Sequence, residues 1–268
     1  MRLDIFLAEN GLVRSRSKAK ELIESGNVTV KGTIITKPSF VVENIDISEI
    51  YIKLTEKYVS RGGLKLEGII DAFGIDVSGA VCVDIGASTG GFTDCLLQHG
   101  AKKVYAFDSG AGQLAPSIAA NPAVISKEKF NARNICRKDI ENTEANIVVM
   151  DVSFISQTYI IPNIPSLLCD GGIFISLIKP QFEAGQSAIG KGGLVRSVSD
   201  RKRSVERVVD CAVSYGLVPM GLMESPIEGG DGNIEFLAYF VKSDTLQPAV
   251  TASAIDDFFK NSRVFLKR

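Results

Sequence analysis

Two kinds of residue in this chain could do chemistry: a glycine-rich turn behind an acid, and four charged side chains beside apolar runs. The run Val81–Phe92 reads VCVDIGASTGGF. Val81 to Asp84 predicts a buried strand ending on an acid. Gly86, Ala87, Ser88, Thr89, Gly90 and Gly91 then make a tight turn, and Phe92 to Gln98 continues at helical spacing to a stop at Gly100. Strand, glycine turn and helix form the first unit of a doubly wound sheet, whose ligands sit at the carboxyl ends of the strands. Glycine lets backbone approach a ligand closely, and the helix start offers free N–H groups. Ser88 breaks the G-x-G-x-x-G spacing of a dinucleotide site. The spacing suits a smaller nucleoside whose far end carries an ammonium and a carboxylate. Asp108 follows the second predicted strand, 22 residues beyond Gly86, where an acid can take both ribose hydroxyls.

The four charged residues are Lys65, Asp151, Lys179 and Glu235. Lys65 on its own reads as a surface lysine near a helix start, where the dipole disfavours a cation. Asp151 ends the apolar run NIVVMD, and Lys179 directly follows GIFISLI. Glu235 stands near the start of the last predicted strand, IEFLAYFV. All four fall at or near element ends on the side where the glycine turn opens. Two cations and two anions in a partly dry site balance each other's desolvation. A lysine facing another lysine also gives up its proton more easily. Such a base suits a weakly acidic hydroxyl, such as a ribose 2′-OH, attacking a methyl sulfonium. The sole histidine, His99, reads as structural, and the residues form no metal-ligand cluster or Ser/Cys–His nucleophile pair.

The elements that must position these residues predict an α/β, Rossmann-like, seven-stranded fold, with residues 1–53 forming a small α+β module of their own, 54–60 a linker and 61–268 the larger domain. Two short helices precede paired strands around Lys31-Gly32 in the first module. Between Asn10 and Lys20 lie Arg14, Arg16, Lys18 and Lys20 with no acid, an electrostatic footprint suited to phosphate contact. Glu21 and Glu24 follow, and residues 1–60 net only +1, so a solvated helix face is the competing reading. Farther on, Ser60 or Arg61 opens a helix through Phe73. DVSFIS starts another helix that Pro162 and Pro165 divide, Pro180 keeps the chain extended, and residues 184–197 suit a mobile lid.

Composition narrows the class. The 268 residues carry a formal net charge of −1, so nucleic-acid binding must come from a local patch. Five separated cysteines without C-x-x-C point to reduced thiols and a cytoplasmic protein. There is no signal-like start and no apolar run of about 18 residues, which disfavours membrane insertion.

The succession of a helix, LVRSRSKAKELI and GNVTVKG resembles the S4 RNA-binding domain over roughly residues 2–48. That resemblance implies backbone contacts to structured RNA from Arg14, Arg16, Lys18 and Lys31, with Lys20 and Arg61 as neighbouring candidates. SRGGLKL, DIGASTGGFTDCLL, DVSFIS, KPQFE and GNIEF resemble the TlyA (hemolysin A) family, an S4 domain joined to an FtsJ-type methyltransferase. The family implies S-adenosylmethionine-dependent 2′-O-methylation of cytidine in ribosomal RNA. Its Lys-Asp-Lys-Glu tetrad falls on Lys65, Asp151, Lys179 and Glu235: Lys179 the base, Asp151 and Glu235 orienting groups, Lys65 a positioner. The donor would lie over Asp84–Phe92, with Asp108 on its ribose and Asp151 near its methionine end. The competing readings are a non-catalytic RNA-binding factor of the same fold, an oxidoreductase, which the glycine spacing disfavours, and a cytolysin, which the lack of an apolar or strongly basic amphipathic segment opposes.

Overall fold

A computed structural model describes residues 1–13, 15–43, 45–53, 57–230 and 232–261. The chain divides into two compact units, Met1–Glu56 and Lys57–Arg268. Arg14, residues 54–56 of the expected linker, Asp231 and the basic tail with Arg263, Lys267 and Arg268 lie outside the described residues.

The first unit holds α1 (Leu3–Glu9), α2 (Arg16–Glu24) and strands β1 (Val28–Val30), β2 (Thr33–Ile35) and β3 (Ile50–Ile52). Ser15 caps α2 by accepting from the Lys18 N–H, which satisfies one of the helix's orphan donors. Ala19, Leu22 and Ile23 share one face of α2 and pack with Leu3, Leu7 and Val28. The antiparallel sheet has the order β2-β1-β3.

The second unit runs α3 (Gly62–Phe73), β4 (Val81–Ile85), α4 (Gly91–Gln98), β5 (Lys103–Phe107), α5 (Pro116–Ala119), β6 (Val124–Lys127) and β7 (Ala145–Met150). It continues α6 (Ile164–Leu167), β8 (Leu168–Ile178), α7 (Pro180–Glu183), α8 (Val198–Ser214), β9 (Leu217–Glu224), β10 (Phe236–Lys242) and α9 (Ala252–Lys260). Its seven strands form one sheet in the order β6-β5-β4-β7-β8-β10-β9. β4 to β8 pair in parallel, and β10 runs antiparallel between β8 and β9. The two-residue period of a strand sends neighbouring side chains to opposite faces. Cys82, Ile147 and Val149 therefore meet Leu66, Ile69 and Leu96 of α3 and α4. Val83, Val148 and Met150 meet Val205, Val208 and Ala212 of α8 on the other face. Both faces being covered explains why the strands read as unbroken apolar runs.

The structure corrects several local expectations. Lys57 to Ser60 belong to the second unit rather than to a linker: Tyr58 is buried and donates to Glu67 Oε1 at 2.9 Å, while the Val59 N–H donates to Asp94 Oδ2 at 2.8 Å. DVSFIS forms no helix. It is an irregular loop, and short 3₁₀ turns at Gln157–Tyr159 and Ile161–Asn163 lead into α6, because the two prolines deny an α-helix its hydrogen bonds. Pro180 does not prolong the strand. Lys179 is extended, as the residue before a proline must be, and Pro180 opens α7 in its first turn. The glycine-rich segment 184–197 is pinned near its end, where Val195 N–H donates to Asn233 Oδ1 at 3.0 Å and Asn233 Nδ2 to the Gly193 carbonyl at 3.1 Å.

Asp84 ties β4 to α4. It is fully buried, and its Oδ2 accepts from Thr93 Oγ1 at 2.6 Å while Oδ1 has no hydrogen-bond partner. Burial, opposed by the Thr93 hydrogen bond and reinforced by the charge of Asp151, pushes its carboxyl up to about 7 from 3.8. Between those values the native state holds a proton that the unfolded chain has lost. Stability therefore falls as pH rises through that window and levels off above it. Chemical denaturation of wild type and Asp84→Asn from pH 4 to 8 will show this as a difference between the two curves. That difference will change by up to about 1.4 kcal/mol per pH unit between pH 4 and 7, and parallel curves would refute the assignment.

Candidate active site

The sheet topology explains how residues far apart in sequence meet. Ile85 pairs with Met150, and the Asp151 N–H donates to the Ile85 carbonyl at 2.9 Å, so Gly86 and Asp151 leave the sheet side by side. Gly86 has φ +88°, and a Cβ there would stand 2.2 Å from the Asp151 carbonyl oxygen; no other residue type fits. β10 opposes β8 with Phe236 facing Ile178, so Glu235, just before β10, arrives at the edge where Lys179 follows β8. α3 lays Lys65 against the same edge.

There the side chains pair. Lys65 Nζ donates to Glu235 Oε2 at 2.5 Å, and both residues are buried, which overturns the reading of Lys65 as a surface lysine. Lys179 Nζ lies 2.6 Å from Asp151 Oδ1, off the axis of a good hydrogen bond, and donates to Ser153 Oγ at 2.9 Å. Each lysine faces a carboxylate, not the other lysine. Close pairing offsets the cost of removing these charges from water.

Two clefts meet at Gly86, Ser88 and Asp151. The smaller, about 220 Å³, is walled by Ser60, Arg61, Lys65, Thr89, Gly91 and Phe92, with Gly62 and Ala87 also on its surface. Arg61 donates to the Glu228 carbonyl at 3.0 Å, so this RNA-contact candidate forms part of a cleft wall. The larger, about 760 Å³, has apolar sides from Phe107, Phe130 and Ile155 and Asp108 at its edge. The Asp108 carboxylate is aimed by two backbone donors, Ser88 N–H at 2.8 Å and Gly110 N–H at 2.7 Å. Ser88 achieves this in a left-handed conformation, φ +48°. Of the glycine-turn candidates, Asp84 and Gly90 are not on the walls: Asp84 sits beneath them, and Gly90 faces Leu114 and Ile118.

Sequence reasoning missed the support of this edge. Glu183, buried at the end of α7, accepts from Ser156 Oγ at 2.6 Å and from the Gln157 N–H at 2.7 Å. It thereby fastens the loop that carries Asp151 and Ser153 to the turn that begins at Lys179. Burial raises the Glu183 carboxyl despite those two hydrogen bonds. Phe154 was also missed. It is 92% exposed, has φ +63°, and its ring lies 5.2 Å from that of Phe182. An exposed aromatic in a disfavoured conformation beside the charged pairs is a signal that only coordinates reveal.

In the first unit the cationic candidates have acidic neighbours. Arg16 contacts Asp4 at 2.9 Å, Lys18 contacts Glu21 at 2.9 Å, Lys20 lies 3.7 Å from Glu24 and Lys31 lies 3.5 Å from Glu49. Asp4 is buried. Although burial works to raise its carboxyl, the hydrogen bonds and charges of Arg2 and Arg16 hold it below the usual range. Among the described residues no cluster could hold a metal ion, and no helix is long and apolar enough to cross a membrane.

The FtsJ-like methyltransferase family matches residues 58–242, and the S4 domain family matches residues 1–45. Hemolysin A of Brachyspira hyodysenteriae is 42% identical over 241 residues, covering 90% of this chain and 100% of that protein. The 16S/23S rRNA (cytidine-2'-O)-methyltransferase TlyA of Mycobacterium tuberculosis is 38% identical over 256 residues, covering 96% of this chain and 94% of that one. A solved structure from Streptococcus thermophilus bearing a hemolysin name superposes with a TM-score of 0.74 at 40% identity, covering 96% of this chain and 93% of that one. The seven-stranded sheet of the second unit, the N-terminal S4 match and these relatives together place the chain in the TlyA (hemolysin A) family of FtsJ-like methyltransferases.

Proposed function

We propose that this protein transfers a methyl group from S-adenosylmethionine to the 2′-hydroxyl of a cytidine in ribosomal RNA. The observation that carries the reading is that Lys65, paired with Glu235, and Asp151, paired with Lys179, both stand on the wall of the cleft beside the glycine turn. The clefts fit the donor: an apolar slot with an oriented carboxylate suits an adenosine, and the smaller cleft beyond Gly86 suits its amino-acid end. Asp108 would take the ribose hydroxyls, Phe107, Phe130 and Ile155 would flank the base, and Ser88, Thr89 and Asp151 would lie along the methionine portion. Bound there, S-adenosylmethionine supplies a methyl group on a positively charged sulfur.

The chain's own residues then act on the acceptor. Lys179 holds the 2′-hydroxyl and, in its amine form, takes its proton as the oxygen becomes a nucleophile. Asp151 and Ser153 fix the Lys179 amine and receive the ammonium that results. Lys65, held by Glu235, positions the acceptor from the opposite side and balances charge. Asp84, beneath the turn, secures α4 rather than touching the donor. The S4 unit, with Arg14, Arg16, Lys18, Lys20 and Lys31, would grip the phosphate backbone of the structured RNA. This requires the paired cations to exchange carboxylate contacts for phosphate ones, and binding will weaken steeply with salt. The substrate would be a ribosomal subunit or its RNA in the cytoplasm.

Incubation with tritiated S-adenosylmethionine and, separately, naked rRNA, subunits and whole ribosomes tests the function. Label mapped to a 2′-O-methylnucleotide is expected, and no label despite measurable donor binding would favour a non-catalytic RNA-binding protein. Lys179→Ala will lower the single-turnover rate by about 10²–10⁴ with donor and RNA affinity retained, and wild-type turnover would refute its role as base. Asp108→Asn will raise the donor Kd by about 10-fold, the loss of a charged hydrogen-bond acceptor, with the rate at saturating donor little changed. Calorimetry and steady-state kinetics separate the two effects, and unaltered donor affinity would remove Asp108 from the site.

A further inference from the structure

Lys179, the base proposed above, is tied to the loop 151–156 by its own amine, which lies 2.6 Å from Asp151 Oδ1 and donates to Ser153 Oγ at 2.9 Å. Accepting a proton from a hydroxyl requires that amine to turn its lone pair toward the substrate and to give up part of those contacts. A loop held by nothing else would move whenever the amine did.

A second set of bonds holds the loop at its far end. Gln157 is buried, and its N–H donates to Glu183 Oε1 at 2.7 Å. Its Nε2 donates to the Leu177 carbonyl at 2.5 Å, and its Oε1 accepts from Ser176 Oγ. Ser176 and Leu177 precede Lys179 in β8 and Glu183 follows it in α7, so Gln157 is bonded on both sides of the lysine in sequence. Ser156 Oγ adds a bond to Glu183 Oε2 at 2.6 Å, and Arg207 of α8 donates to the Glu183 backbone carbonyl at 3.0 Å. None of these bonds passes through the Lys179 amine. A carboxylate acceptor makes them stronger than a neutral one would, although burial raises the Glu183 carboxyl and a neutral side chain would escape that cost.

We infer that Glu183 is a positioning residue for methyl transfer: through Ser156 and Gln157 it holds the loop independently of Lys179, so that the amine can turn from Asp151 and Ser153 to the acceptor while both stay in place. This rests on the reaction proposed above. The brace relieves the base of a structural duty, and the carboxylate that receives the new ammonium keeps its position.

The experiment compares wild type, Glu183→Ala, Glu183→Gln and Ser156→Ala on ribosomal subunits that lack the modification. It reads the single-turnover rate at saturating donor and RNA, the donor Kd and Tm, and repeats Tm for each with Lys179→Ala added. Glu183→Ala is expected to lower the rate by about 10²-fold, the scale of a misplacement near 1 Å. Glu183→Gln keeps an acceptor for the Gln157 N–H and can donate to Ser156 Oγ, so it is expected to keep Tm and recover most of the rate. Lys179→Ala is expected to lower Tm more in the Glu183→Ala background than in wild type, because there the amine carries the loop alone and the two losses do not add. Ser156→Ala removes one bond and is a milder background in which the same excess is expected, so the test does not depend on Glu183→Ala folding. Equal Tm shifts in all backgrounds would overturn the inference, as would a wild-type rate in Glu183→Ala. A rate restored at saturating donor, with only the donor Kd raised, would assign these bonds to the cleft wall that the loop forms and overturn it as well. No 2′-O-methylnucleoside from the wild-type protein would overturn the reaction and the part of this role that serves it, whereas the Tm comparison reads the brace without any turnover.

Discussion

Removing charge from water is the constraint around which the second unit is built. Two lysines and two carboxylates at the edge of an otherwise apolar sheet would each be costly alone. Their close pairing makes them tolerable, and the pairing requires four separate chain segments to arrive in register. β7 delivers Asp151, β8 delivers Lys179, the start of β10 delivers Glu235 and α3 delivers Lys65. The antiparallel insertion of β10 between β8 and β9 is what brings a residue preceding a strand to the edge where the parallel strands end.

The same edge shows how a loop is held without regular secondary structure. Residues 151–156 form no helix or strand, yet Glu183 bonds the loop at Ser156 and Gln157, and Gln157 Nε2 in turn donates to the Leu177 carbonyl at 2.5 Å. Those buried hydrogen bonds link the loop to β8 and α7, the elements that bracket Lys179. Phe154 can then keep an unfavourable left-handed backbone and an exposed ring, strain that a slack loop would relieve. Positioning here comes from side-chain to backbone bonds in a dry interior, where each counts for more than it would in water.

The first unit solves a different electrostatic problem. In the proposed reading its cations meet a polyanion at the surface, but the unit also has to fold when none is bound. Arg16 is anchored by a buried carboxylate, Asp4, whereas the pairs of Lys20 and Lys31 are longer and exposed. Exposed pairs of that kind contribute at most about 1 kcal/mol, so they can give way to phosphate at little cost, while the Arg16–Asp4 contact also helps set the start of α2 against α1.

Much of this was readable in the chain. Apolar runs such as NIVVMD and GIFISLI specify buried strands because a sheet covered on both faces leaves no polar side to encode. The glycine turn and Asp108 were legible because local sterics and the length of one βαβ step govern them. The methyltransferase motifs singled out Lys65, Asp151, Lys179 and Glu235 by type and position. Tertiary structure alone decided how those residues pair, that Lys65 is buried, that Asp84 lies beneath the cleft, and that Glu183 bonds the loop that follows Asp151. The physical reason is the range of the forces. Strand periodicity, proline sterics and glycine conformations act between near neighbours in sequence. Desolvation and ion pairing depend on which segments a sheet places side by side, and Lys65 and Glu235 meet across 170 residues of chain.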